Sequence, residues 1–340
     1  MRPRTWLLAA AAGGAITLAF AAALAVRSTL DRPTPRALSR GGIVRVAAGS
    51  PLRTVTAALA DSGWVRAPAL LRAWARFEGL DRRVLPGRYR IPRGASPRQV
   101  ILRIASGDVE RTRVTIPEGW KEKQILDLLA DSLEVDSLAV LAVARDTLFL
   151  RSSLGLPRAR LEGYLFPETY LFPKEYSPRQ AIEKIVREGT ERFTPEMQAR
   201  ARRIGWTRDS VLILASIVQA EAARSSEMPS IAAVFHNRLR LGWRLDADPT
   251  VLYAHERSTG PLRIEDLDIA SPYNTYRVTG LPPGPIDNPG EDAIRAVLWP
   301  DSTSRMMFFV AKGNGEHHFS RTLAEHERAR REIRAARRSE

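Results

Sequence analysis

Long stretches with helical apolar spacing, broken by a few short strand-like runs, predict an α+β protein. Two further observations sharpen this. A strand, two helices and a returning strand follow one another within 42–108, which predicts a small βααβ module. The run Trp6 to Val26 carries no charge; as a helix it would be about 31 Å long, near a bilayer's hydrocarbon thickness. With 340 residues, 44% apolar and 26% charged, the chain has material for two cored domains and is not a disordered polyelectrolyte.

The elements follow in order. Residues 1–5 form a short cytoplasmic tail and 6–26 a transmembrane helix. The rival for this run is a cleaved signal peptide, since Ala21 to Ala25 offers small-residue cleavage sites, but the apolar stretch exceeds a usual signal core. Arginines flank both ends, so their count leaves orientation open. With only five residues ahead of the span, the body must lie outside the cytoplasm, on the periplasmic or extracytoplasmic side of the plasma membrane. Residues 27–41, with scattered charge and Pro33 and Pro35, read as a tether. Gly42 to Ala48 is a strand, and Ser50-Pro51 caps a helix ending near Gly63. A second helix runs from Pro68 to Phe77, and Gly87 to Ile91 is the returning strand. This is the plan of LysM-like glycan-binding modules; a generic adaptor that binds nothing has the same plan. Ser96-Pro97 opens one more helix, which Gly107 closes.

A second domain is expected over 109–330. Thr112 to Ile116 is a strand, with helices near 121–131 and 136–145. The aromatic, proline-punctuated run Leu161 to Pro173 follows, then helices at about 179–193, 208–223 and 226–241. Asn288-Pro289 opens a helix ending at Trp299, and Met307 to Ala311 pairs with His317 to Ser320 across Gly313-Asn314-Gly315 as a hairpin. The arginine-rich segment from Leu323, with its basic tail 331–340, reads as a solvated helix.

The net charge of +14 suits an anionic partner. Nucleic acid is disfavoured, because no recognition run or aromatic-interleaved basic patch accompanies the charge. No cysteine is present, so disulfides and thiolate metal sites are excluded. The five histidines show no metal-ligand spacing, and no GxSxG elbow or phosphate-cradling glycine loop occurs. No metal or cofactor is expected.

What remains is carboxylate chemistry. From Ile213 to Ala223 the only ionisable side chain is Glu221. Val218 and Ile217 lie three and four residues before it and are its helical neighbours. A carboxyl against such a surface loses hydration and is held protonated, as a general acid requires. The alternative is a carboxylate on the wet edge of an amphipathic helix. Downstream, the segments Arg244 to Thr250, Ser271 to Tyr276 and Thr279 to Ile286 are rich in Tyr, Asn, Thr, Pro and Gly. Such loops suit sugar recognition, with aromatic faces on pyranose rings and amides on acetamido groups.

Taken together and in this order, ASIVQAE at 215–221, SEMPSIAAVFHNRL at 226–239, DPTVLY at 248–253, YNTYRVTGLPPGPI at 273–286 and GEHHF at 315–319 resemble the MltG (YceG-like) family. The resemblance also takes in LEGYLFPETY at 161–170. Members are endolytic murein transglycosylases, lyases acting on bacterial peptidoglycan. The resemblance implies Glu221 as the catalytic carboxyl, with Gln219, Asp248, Thr250, Tyr273, Asn274, Thr275, Tyr276 and His317 as substrate-binding candidates. Family members read ASIVEKE here, so Gln219 and Ala220 depart from the pattern. Glu227 also matches a family glutamate and reads mainly as a helix N-terminal charge.

The implied reaction uses one carboxyl twice. Glu221 protonates the oxygen between N-acetylmuramic acid and N-acetylglucosamine, then takes the muramyl C6 hydroxyl proton as that oxygen closes a 1,6-anhydro ring. The implied partners are nascent glycan strands, the membrane, and the synthases that make those strands. A glycoside hydrolase using Asp246 or Asp248 as second carboxylate is the nearest rival. A non-catalytic glycan scaffold is the rival of another class.

Overall fold

A computed structural model describes residues 3–257 and 259–339. The side chains of 3–13, 15, 338 and 339 lie outside the described set. Much of the apolar run 6–26, and the end of the basic tail, fall there. The chain divides into two compact units, residues 1–112 with 171–175, and 113–170 with 176–340.

The first unit opens with helix α1, Pro3–Asp31. Among the described residues, no helix is long and apolar enough to cross a membrane. The expected tether is ordered. α1 runs to Asp31, which pairs with Arg98 at 2.8 Å, and Leu30 is buried in the unit's core. A short helix α2, Pro35–Ser39, follows. Thr34 caps it through a 3.2 Å bond from the Ala37 amide, so Pro35 starts a helix rather than loosening the chain. Gly94 N–H donates to Ala37 O at 2.7 Å and fixes α2 in place.

Strand β1 (Gly42–Val46), helices α3 (Leu52–Asp61) and α4 (Pro68–Phe77), and strand β2 (Gly87–Ile91) then form the βααβ order read from the sequence. The strands pair antiparallel, with Val44 opposite Tyr89. Their inward residues meet Leu59 and Leu71 from the helices, and Trp64 from the turn between them, in one core. The cap of α3 is Pro51 itself, without a side-chain bond, in place of the Ser50 cap the sequence suggested. Helix α5, Pro97–Ser106, carries a full Ser96–Gln99 capping box and ends on a left-handed Gly107.

Strands β3 (Arg111–Thr115) and β4 (Thr169–Pro173) pair in a two-stranded sheet. Helices α6 (Glu122–Leu133) and α7 (Ser137–Ala144) lie between them in sequence. The second unit continues with α8 (Pro178–Arg192), α9 (Pro195–Arg203), α10 (Arg208–Glu221), α11 (Met228–Arg240), α12 (Asp248–Ala254) and α13 (Glu291–Leu298). The hairpin β5 (Phe308–Ala311) and β6 (His317–Ser320) and the helix α14 (Leu323–Ser339) complete it. Helix α10 is the unit's axle, buried on all sides from Val211 to Val218 and packed on α11, α12 and α13. A helix apolar all round is one that neighbours enclose.

Two of the sequence motifs meet at a glycine. Gly163 has φ +84°, and a Cβ there would lie 2.3 Å from Pro285 Cγ. Only glycine allows the Leu161–Pro173 and Thr279–Ile286 runs to touch so closely.

Candidate active site

Glu221 is the last residue of α10. The helix stops there because Ala222 turns extended, at φ −82° and ψ 120°. The carboxyl opens into a cleft of about 720 Å³. Although the residue keeps an edge toward that cleft, burial pushes its carboxyl up to about 8. The negative charge of Asp248 pushes the same way, and the Arg238 guanidinium opposes both. The sequence expectation of a carboxyl protonated by its apolar surroundings is therefore met by desolvation first and charge second.

Arg238 organises the wall beside it. This buried arginine donates from Nε to Met307 O at 2.8 Å, and its Nη1 lies 3.5 Å from Asp246 Oδ2. Its guanidinium sits 5.3 Å from the Phe308 ring centroid. One side chain of α11 thus ties β5 to the loop before α12. Its signal in the sequence was an arginine four residues after Val234, on the buried face of α11, and the sequence reading passed over it.

The loop Leu245–Asp248 is shaped from behind. Asp246 takes φ +47°, a strained choice for a residue other than glycine. Three bonds hold it there: Asp246 N–H to Thr275 O at 3.3 Å, Ala247 N–H to Thr275 Oγ1 at 2.9 Å, and the Thr250–Thr275 hydroxyl pair at 2.9 Å. Thr250 and Thr275 are fully buried. Asn274, also fully buried, donates to Leu267 O and Ile269 O at 2.8 and 3.0 Å and accepts from the Tyr276 amide. The Tyr276 hydroxyl donates to Asp248 Oδ1 at 2.6 Å and aims that carboxylate.

Of the residues named from the sequence, Glu221, Asp248, Tyr276 and His317 line the cleft, as does Asp246. Thr250, Asn274 and Thr275 lie behind its wall. Tyr273 stands apart from the lining and packs on Tyr253, ring centroids 4.8 Å apart. Gln219 leaves α10 in another direction and accepts the Gly290 amide at 3.0 Å.

Glu227 departs from the sequence reading. Instead of serving only as a helix charge, its carboxylate receives the His317 amide at 3.0 Å and His317 Nδ1 at 2.8 Å. These bonds, with the His317 charge, pull its pKa below the usual carboxylate range against a desolvation that acts the other way. The clamp fixes β6 and orients the His317 ring, which meets Phe309 edge-on at 5.4 Å.

The sequence also gave no weight to a second carboxyl cluster. Glu162 and Glu122 accept each other's backbone amides at 2.8 and 3.0 Å, and Asn288 Nδ2 donates to Glu162 Oε1 at 3.0 Å. Burial raises Glu162 to about 7 and Asp287 well above its ordinary value. None of these lines the cleft of Glu221.

A carboxyl whose pKa burial raises, in an open cleft of mixed polar and apolar walls with further carboxylates beside it, is the arrangement of carboxylate acid–base sites. The chain belongs to the YceG-like family, whose model matches residues 44–332. A Bacillus subtilis protein named endolytic murein transglycosylase is 30% identical, over 84% of this chain and 83% of its own length. A Streptococcus pneumoniae protein of the same name is 25% identical; the match spans 84% of this chain and 57% of that protein. The crystal structure of a YceG-like protein from Listeria monocytogenes aligns with a TM-score of 0.60 at 28% identity, over 85% of this chain and 99% of that one.

Proposed function

We propose that this chain is an endolytic murein transglycosylase that cuts the bond between N-acetylmuramic acid and N-acetylglucosamine within nascent glycan strands. One observation carries the reading: Glu221 faces a glycan-sized cleft with its carboxyl pushed up to about 8, hence loaded with a proton at neutral pH. The names of its relatives point the same way.

In the proposed mechanism Glu221 gives its proton to the glycosidic oxygen, and the C1–O bond breaks toward the leaving sugar. The oxocarbenium-like charge at C1 lies near the carboxylates of Asp248 and Asp246. The Glu221 carboxylate then removes the C6 hydroxyl proton as O6 bonds to C1. Glu221 ends protonated and no water is consumed. Tyr276 holds Asp248 in position, the buried Thr275 holds the Asp246–Asp248 segment from behind, and Asn274 fixes the turn that carries Tyr276.

Anchoring by residues 6–26, with the catalytic unit outside the cytoplasm, is part of the proposal and rests on that uncharged run within α1. Glycan binding by the βααβ module is the other part. A cleft of about 630 Å³ along the turn after β2 and helix α5, lined by Arg93, Gln99 and Arg103 among others, lies within the 42–108 segment and supports it.

Hydrolysis is the second reading, because Asp246 and Asp248 share the cleft with Glu221. Mass spectrometry of products from uncrosslinked strands separates the two. The expected ends are 1,6-anhydromuramic acid, and Glu221→Gln should cut roughly 10³-fold slower. Ordinary reducing ends would mean a hydrolase. Undiminished cleavage by the variant would remove Glu221 from the chemistry.

A further inference from the structure

Helix α14 is arginine-rich, and such a helix is ordinarily a solvated one. Its position is different. Leu323, His326, Arg330, Ile333, Arg334 and Arg337 recur at three- and four-residue steps, share one helix face, and all line the cleft that holds Glu221. The helix is held in place there. Ala329 is buried, and His326 stacks on Phe308 with ring centroids 5.3 Å apart. Arg337 donates to Ala311 O at 3.0 Å and Lys312 O at 3.2 Å.

Those bonds engage Arg337. Arg330 and Arg334 remain exposed, and among the described residues no carboxylate lies within ion-pair distance of either. The acids of the opposite wall are already engaged: Asp248 by the Tyr276 hydroxyl, Asp246 by Arg238 and Arg244. Arg238, His317 and His326 add no negative charge to the cleft. Two guanidinium groups one turn apart, about 6 Å along the axis, therefore face the space beside the acid without a counterion. Neutral sugar hydroxyls and acetamides do not call for them. The anionic groups of a murein strand are carboxylates, on the stem peptides or on the lactyl arm where a peptide is missing.

We propose that Arg330 and Arg334 form an anion subsite that takes a stem-peptide carboxylate, so that the cleft prefers peptide-bearing strands. The proposal rests on the reading of the chain as a murein-cleaving enzyme. Paired arginines suit a carboxylate because each presents a planar fork of donors.

The test is equilibrium binding of the full chain carrying Glu221→Gln, which should hold strands without cutting them. Three strand preparations serve as probes: native stems, stems capped as methylamides, and strands stripped by an amidase to lactyl carboxylates. Capping should weaken binding about fivefold, and added salt should shrink the difference. Adding Arg330→Gln and Arg334→Gln should bring native strands to the capped affinity, with no further loss on capping. Because both residues are exposed, the melting temperature should not move. Stripped strands that bind as tightly as native ones would assign the subsite to the lactyl carboxylate and overturn the stem-peptide assignment. Equal affinity for native and capped strands would overturn the anion subsite alone. Failure to bind any strand would overturn both the subsite and the murein reading.

Discussion

The acid function proposed for Glu221 depends on how its proton is held. Burial supplies most of its hold and Asp248 reinforces it, with Arg238 in opposition. A general acid works only while protonated, so kcat/KM should be retained below about 8 and fall as pH rises through that value. Asp248→Asn removes the reinforcing charge and should move that falling limb to lower pH. A limb that stays in place in the variant would show that Asp248 does not act on Glu221 electrostatically. Glu221 stood out as a lone carboxyl in an apolar helical run, but that local signal left a wet helix edge equally open, and its catalytic assignment came from the family resemblance. Arg238 was not, since its importance lies in reaching β5 and the Asp246 loop, which are distant in sequence. Asn274 and Thr275 stood out by composition, yet composition does not say that they face inward and shape the wall from behind.

Most elements were legible for an equally local reason. Capping residues and proline at the first turn mark α5 and α8, glycine closes α5, and the Gly313-Asn314-Gly315 turn marks the hairpin β5–β6. The segment before β1 was misread because its prolines and charges look like those of a linker, whereas Leu30, Thr34 and Ala37 are buried. β4 was hidden in the Leu161–Pro173 run, whose prolines obscure its alternation. α14 was recognised as a helix and as largely solvated, as most of its residues are, but a charge stripe does not announce that one of its faces borders the cleft. At this scale the proposed roles of α1 and the βααβ module are tested by successive truncation. Removing residues 1–27 should release the chain from the membrane pellet, and removing 42–107 should weaken glycan pull-down without abolishing cleavage. Equal pull-down by the truncated and full chains would end the binding role of the module.

Across the whole molecule, the buried carboxyls set how stability depends on pH. Glu162 at about 7, Glu221 at about 8 and the strongly raised Asp287 all have folded pKa values above those of the unfolded chain. Their stabilising contribution is complete below the unfolded values, about 4, and is lost as pH rises through the folded ones. Glu227, lowered by His317, runs the opposite way and loses its contribution as pH falls. The melting temperature should therefore peak near pH 5, roughly, and decline toward pH 8. Glu162→Gln should flatten part of that decline, worth roughly 3 kcal/mol for a group held near 7. An unchanged slope would mean that Glu162 is not the titrating group. The position of Glu221 as the closing residue of α10 has a consequence of another kind. The carbonyl end of a helix carries partial negative charge and repels an anion there. The direction of the main chain thus favours the protonated form at this position, a bias that side-chain substitutions nearby leave in place. Gln219 points away to the Gly290 amide and Ala220 is uncharged, so neither side chain supplies the support that the main chain gives.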